Sequence, residues 1–186
     1  MEKMKRKAVA SLSQTGNGRN SVLQGKAYKI SVSAVLTALA MIFSYVEALF
    51  PFNFGIPGIK LGLSNLAVLV ALYGLGPWYA FAVNLTRILL SGFLFGGVSA
   101  MMYSLAGGML SFAVMCLLKK TGLFSPLGVS MAGGVAHNAG QLTVAALIIE
   151  NSKIYLYMPA LLISGTVTGI LLGIGTVLIL RRLKFR

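Results

Sequence analysis

Long apolar stretches separated by compact basic clusters constrain this chain more than any single motif does. Seven of its 16 Lys and Arg residues fall in the first 29 positions: Lys3, Lys5, Arg6, Lys7, Arg19, Lys26 and Lys29. Two more form the pair Lys119-Lys120, and four close the chain at Arg181, Arg182, Lys184 and Arg186. The acids are Glu2, Glu47 and Glu150, and there is no Asp. Charged residues make up 10% of the sequence, too few to cover a soluble domain, which carries about 25%. Basic clusters between apolar runs are the positive-inside pattern of a polytopic membrane protein. The net charge of +13 would also suit nucleic acid. Single-strand binders, however, interleave aromatic with basic residues, and the segment up to Lys26 has no aromatic residue. The partners expected of this charge are anionic lipid headgroups, not nucleic acid.

The pattern predicts an all-α integral membrane protein of six transmembrane helices. Residues 1–27, rich in Lys, Ser, Gly, Asn and Gln, read as a basic disordered cytoplasmic tail. A signal peptide is disfavoured, because the apolar run that follows is about 20 residues, longer than an h-region. The transmembrane domain is placed at residues 28–182, with a basic cytoplasmic C-terminus at 183–186. Its spans are expected at about 28–50, 59–75, 78–95, 98–118, 127–149 and 154–180, since about 20 helical residues cross a ~30 Å hydrocarbon core. Pro51, Gly55, Pro57 and Gly58 break the helix in the first loop. Six spans put both termini on the cytoplasmic side of the cell membrane, with Lys60 and Lys153 outside and Arg87 within a span. Five spans would expose one basic terminus on the wrong side.

Polar groups inside the membrane are the candidate functional residues. Arg87 lies near the middle of the third span, where a charge costs roughly 2.5–3.5 kcal/mol on insertion scales. Asn84 and Ser91 share its helix face by i,i+3 and i,i+4 spacing. His137, Asn138 and Gln141 are expected to form one polar patch on the fifth span, either a ligand site or an interhelical clamp. Glu47 and Lys60 flank the first outer loop and invite a salt bridge, with Asn65 deeper in the second span. His137 is the only His, Cys116 the only Cys, and Asp is absent, so no metal site, cofactor or intrachain disulfide is expected. Ala34 and Ala38 have small-xxx-small spacing, a face for another helix. The paired glycines 96-97, 107-108 and 133-134 read as close-packing positions.

Four motifs carry a family resemblance. They are Pro57-Gly58-Ile59-Lys60-Leu61-Gly62-Leu63-Ser64-Asn65 with Ala71-Leu72-Tyr73-Gly74-Leu75-Gly76 behind it, Arg87-Ile88-Leu89-Leu90-Ser91-Gly92 with Phe95-Gly96-Gly97, Tyr103-Ser104-Leu105-Ala106-Gly107-Gly108, and Val135-Ala136-His137-Asn138-Ala139-Gly140-Gln141. Over about residues 30–180 the chain resembles the Gx transporter family, also catalogued as heptaprenyl diphosphate synthase component I. That family is similar in architecture to the S components of energy-coupling-factor transporters. The resemblance implies a six-helix bundle that binds a small molecule near its outer face. It implies a small-residue face on the first helix, here Ala34 and Ala38, for a transmembrane coupling subunit carried on two ATPases. The chain itself lacks the Gly-x-x-x-x-Gly-Lys-[Ser/Thr] nucleotide motif.

The expected function is therefore a non-enzymatic, substrate-binding transport subunit for a small anionic or amphipathic molecule. Lys60, Asn65, Asn84, Arg87, His137, Asn138 and Gln141 would bind the ligand's polar end. The alternative is a non-catalytic membrane accessory subunit of isoprenoid, quinone or redox metabolism with a soluble prenyl-synthase partner. Prenyl elongation needs aspartate-held Mg²⁺, which a chain without Asp cannot supply alone. At this level of reading, Arg87→Ala or His137→Ala weakens ligand binding without unfolding the protein, and unchanged affinity in both would remove this site.

Overall fold

The computed structural model describes the backbone of residues 2–49 and 62–183 and the side chains of residues 24–49 and 62–183. The described elements are helical. They are α1 (Glu2–Leu49), α2 (Asn65–Gly74), α3 (Pro77–Ser91), α4 (Gly97–Thr121), α5 (Pro126–Ile149) and α6 (Met158–Arg182). A π-helical turn, Gly92–Gly96, follows α3, and a 3-10 helix, Ser152–Tyr157, precedes α6.

Local chemistry explains the boundaries. Pro77 and Pro126 open α3 and α5 at positions whose N–H would have no intrahelical partner. Ser125 caps α5 by accepting from Gly128 N. Gly122, in the left-handed region at φ 69°, closes α4 and returns its N–H to Lys119 O. Gly97, at φ 71°, reverses the chain between α3 and α4. Asn84 Nδ2 then donates to Gly108 O at 3.1 Å, a contact that a continuous helix of 24 residues' separation could never make.

Four segments are long and apolar enough to cross a membrane: Gln24–Leu49, Pro77–Thr121, Pro126–Ile149 and Ser152–Arg182. The second of these is 45 residues and holds the α3–α4 hairpin. The helices are thus those of a membrane protein, but the expected second span departs from the prediction. Its described part, α2, has 10 residues and is about 15 Å long, half a hydrocarbon core. It is also the innermost element. Ala67, Val68, Leu69, Val70, Ala71 and Leu72 are all buried, and Leu36 and Ala40 of α1, Ala80 and Val83 of α3, Met115 of α4 and Val129 of α5 join the same core cluster. A helix that is apolar all round belongs in such a setting, and its neighbours, not lipid, supply the apolar contacts.

The outer helices are built the other way about. On α6, Ile163, Val167, Leu171, Ile174 and Leu178 are exposed and repeat at helical spacing, as a lipid-facing stripe. The opposite face carries Gly165, Gly169 and Gly173 against α5. A Cβ on Gly165 would lie 2.7 Å from Gly134 O, one on Gly169 2.6 Å from Met131 Cα, and one on Gly173 2.8 Å from Leu127 Cδ1. Small residues let the backbones approach where lipid offers no hydrophobic drive for association. This glycine ladder went unread in the sequence, although the spacing rule applied to Ala34 and Ala38 would have found it. Buried hydroxyls are satisfied within their own helix, as in Thr168 Oγ1 to Ser164 O and Thr176 Oγ1 to Leu172 O.

The packing also collects basic groups at one end of the bundle. Lys29 of α1 lies 5.9 Å over the Tyr79 ring at the start of α3. Lys119 Nζ, at the end of α4, donates to Leu72 O in the last turn of α2 at 2.5 Å, where a cation suits the helix dipole. Because α5 and α6 run antiparallel, with 134 against 165 and 127 against 173, Arg181 and Arg182 finish at this same end. Glu150 and Lys153 lie at the other.

The ladder makes a direct prediction. Gly165→Val should destabilise the bundle by about 1–3 kcal/mol, the usual cost of overpacking. Gly128→Ala should be neutral or slightly stabilising, because nothing lies closer than 3.7 Å to a Cβ there and Ala is the better helix former. Thermal unfolding in detergent distinguishes the two; equal melting temperatures would show that α5 and α6 do not approach this closely.

Candidate functional site

The end of α1 lies beside the turn that leads into α2, and a cluster of buried polar groups begins there. Glu47, in the last turn of α1, accepts on Oε1 from Gly62 N at 2.6 Å and Leu63 N at 2.9 Å. These N–H groups precede α2 and lie near the positive end of its dipole, where a carboxylate is stabilising. Gly62 sits at φ 84°, a conformation that suits Gly, and a Cβ there would meet Asn65 Nδ2 at 3.2 Å and the His137 ring at 3.4 Å.

Arg87, projecting from α3, is the hub. Nη1 donates to Ser64 Oγ at 2.5 Å, and Nη2 donates to Asn65 Oδ1 and Asn84 Oδ1, each at 2.9 Å. The side chain is 3% exposed, and Nε has no hydrogen-bond partner among the described residues. Glu47 lines the same cavity, and a carboxylate close by is what a buried cation requires. Asn84 is oriented in turn by its bond to Gly108 O.

Glycines on α4 admit the remaining groups. A Cβ on Gly108 would lie 3.4 Å from both Arg87 Nη2 and Asn84 Oδ1, and one on Gly107 would lie 2.7 Å from Gln141 Cγ and His137 O. The pair at 107-108 therefore does more than pack helices: its two faces receive the Arg87 cluster on one side and α5 on the other. Ser44, Glu47, Gly62, Ser64, Arg87, Ser91, Ser104 and His137 line a cavity of about 10 Å³, room for about one water. All five segments that reach it contribute a polar side chain or, at Gly62, a backbone N–H. In these described residues the site is closed.

The expected site residues divide. Asn65, Asn84 and Arg87 form one hydrogen-bonded group, and Arg87 and His137 line one cavity. Gln141 is fully buried beside Gly107. Asn138 departs from the expected patch. Its Nδ2 donates to Leu161 O at 2.7 Å and Ser164 Oγ at 3.1 Å on α6, so it faces the other side of α5 as an interhelical clamp. A step of one residue turns a helix by about 100°, which i,i+3 bookkeeping to Gln141 alone did not register. Lys60 and loop 51–58 lie outside the described residues. The expected pairing of Glu47 with Lys60 therefore lies outside the described residues; within them Glu47 accepts from the backbone and lines the same cavity as Arg87. Ser44, Ser64 and Ser104 were missed; the i,i+3 spacing of Ser44 and Glu47 was the available signal.

Ala34 and Ala38 are exposed. With Ser33, Thr37 and Met41 of α1 and Ala82, Val83 and Thr86 of α3 they line an open groove of about 430 Å³.

The sequence profile of heptaprenyl diphosphate synthase component I matches residues 36–179. The chain belongs to this family. The match takes in every polar residue of the cavity and ends within α6. No curated protein and no solved structure matches the chain.

Within this component I family member, Arg87→Ala is expected to lower stability as well as ligand binding, where the sequence alone implied a loss of binding without unfolding. It would leave Ser64, Asn65 and Asn84 without their donor. Arg87→Lys keeps the charge but loses the planar fork that serves three acceptors. It should cost about 2–3 kcal/mol, the worth of one or two hydrogen bonds to a charged group. Asn138→Leu should also lower the melting temperature, by loosening α5 from α6, yet leave bound ligand in place. Loss of ligand in Asn138→Leu, or an unchanged melting temperature in Arg87→Lys, would contradict these assignments.

Proposed function

We propose that the chain is the substrate-binding membrane subunit of a transport system for a small anionic or amphipathic molecule. The observation that carries this reading is Arg87. A cation at 3% exposure, with an unpartnered Nε and the polar side chains of several helices around it, is an expensive feature in an apolar protein. Such residues mark ligand or ion pathways by default. Guanidinium is also the donor best matched to carboxylate and phosphate.

In this mechanism the ligand enters from the end of the bundle that holds Glu47 and the chain reversal at Gly97. Its acid group meets Arg87 with Asn65, Asn84, His137 and Gln141 nearby, and its remainder lies against apolar helix faces. Lys60 adds a basic contact at the entrance. Release needs a conformational change supplied by partners, a transmembrane coupling subunit and ATPases, because the sequence has no nucleotide motif of its own. The groove at Ala34 and Ala38 is the surface offered to the coupling subunit. The basic end, with Lys29, Lys119, Lys120, Arg181 and Arg182, faces the cytoplasm of a plasma membrane, and both termini lie on that side.

The family match favours a second reading, a membrane accessory subunit that holds a prenyl diphosphate or its product for a soluble synthase. A catalytic role does not suit this chain. It has no Asp, and Glu47, the one carboxylate at the site, spends Oε1 on two backbone N–H groups, a poor donor set for Mg²⁺.

Native mass spectrometry of the mildly solubilised complex from its own membranes separates the two. Transport predicts a bound small molecule with coupling and ATPase subunits, and uptake of that molecule when the complex is placed in vesicles. A soluble prenyl-synthase partner, or a prenyl lipid alone with no uptake, would overturn it. Orientation is tested in a Cys116→Ala background. The exposed positions Lys120→Cys and Lys153→Cys should react with an impermeant maleimide from the cytoplasmic and outer sides respectively; the reverse would invert the topology.

A further inference from the structure

Glu47 holds the position that an incoming acid would need. Its carboxylate takes both N–H groups of the turn that leads into α2, lies near the dipole's positive end, and shares a cavity with Arg87. These are the elements of an oxyanion site: two convergent backbone donors, a buried guanidinium and a helix N-terminus. Beside it, Arg87 Nε remains without a partner although the side chain is 3% exposed, and the cavity holds room for about one water. A ligand of ordinary size cannot be added to this arrangement; something must leave.

We propose that Glu47 is a built-in occupant of the anion site, and that a ligand's carboxylate or phosphate binds by displacing it. This rests on the reading of Arg87 as a ligand contact and adds the class of ligand and a gate. The exchange is close to isosteric and charge-conserving at the site: one oxyanion replaces another on Gly62 N and Leu63 N, beside Arg87 and its unpartnered Nε, while Glu47 is released toward the end of α1. It also has a mechanical consequence. The two bonds from Glu47 tie the end of α1 to the start of α2, and α1 is the least buried of the four membrane-length segments. Occupancy of the site therefore frees the end of the helix whose other face lines the Ala34–Ala38 groove. A neutral ligand cannot perform this exchange, because it would leave Arg87 without a countercharge.

Chemical rescue tests the proposal on the full-length protein in detergent. Glu47→Ala removes the occupant and leaves its two backbone donors and the neighbouring Arg87 guanidinium. Sodium propionate or inorganic phosphate, titrated against sodium chloride at matched ionic strength, should raise the melting temperature of Glu47→Ala saturably and leave the wild type unmoved. Which anion acts better gives the ligand's acid class. The double variant Glu47→Ala/Arg87→Ala should lose the response. If Glu47→Ala does not fold, Glu47→Gln keeps the volume and one acceptor and should show a smaller saturable rise. No response to either anion in the folded variant, a wild-type response of equal size, or a double variant that responds fully would each overturn the proposal. Rescue reports on the site alone. If rescue succeeds but uptake fails, the transport reading falls and Glu47 keeps its role; if uptake succeeds without rescue, the reverse holds.

Discussion

The tie between Glu47 and Arg87 through the start of α2 is the constraint from which the rest of the arrangement follows. The turn that leads into a short inner helix carries two buried backbone N–H groups, those of Gly62 and Leu63, and each would cost several kcal/mol unsatisfied in hydrocarbon. Glu47 accepts from both, and its charge sits in the same cavity as Arg87. Arg87 in turn needs acceptors, found in Ser64, Asn65 and Asn84. Each group is explained by the one before it, and none could be removed singly without stranding a neighbour.

Apolar and polar have exchanged their usual places around this centre. The outer faces of α1, α4 and α6 present Ile, Val and Leu. The interior of the bundle, besides the apolar core around α2, holds buried serines, asparagines and one arginine. The glycines matter because lipid removes the hydrophobic drive that holds soluble helices together. Close backbone contact replaces it between α5 and α6, and at Gly107 and Gly108 the same lack of a side chain lets His137, Gln141, Asn84 and Arg87 converge. One device therefore serves both assembly and site construction, which is why the paired glycines could not be sorted into packing or function from spacing alone.

Much of the site was legible because intramembrane polar residues are conspicuous. Arg87, Asn84, Asn65, His137 and Gln141 all stood out; the first three form one hydrogen-bonded group, His137 shares a cavity with Arg87, and Gln141 lies beside Gly107. What escaped was direction. Asn138 adjoins His137 in sequence yet bonds to α6, since helical neighbours point about 100° apart. The backbone N–H groups of Gly62 and Leu63, which have no part in a side-chain pattern, are what Glu47 bonds to, and no spacing rule for side chains could have announced them. The serines were invisible, because hydroxyls are common in spans and usually bond within their own helix.

By itself the sequence determined the class of solvent this protein lives in. Apolar runs, absent Asp and clustered basic residues leave no soluble alternative, because too little charge exists to cover a surface. It also determined where helices begin and end, through Pro77, Gly97, Gly122, Ser125 and Pro126, since those signals act on the nearest turn of backbone. Only the tertiary structure decided that the second apolar segment contributes a short inner helix, and which polar groups share a cavity. Both depend on contacts between helices distant in sequence. Apolar residues read alike whether they face lipid or protein, so a hydropathy pattern carries no record of which it will be.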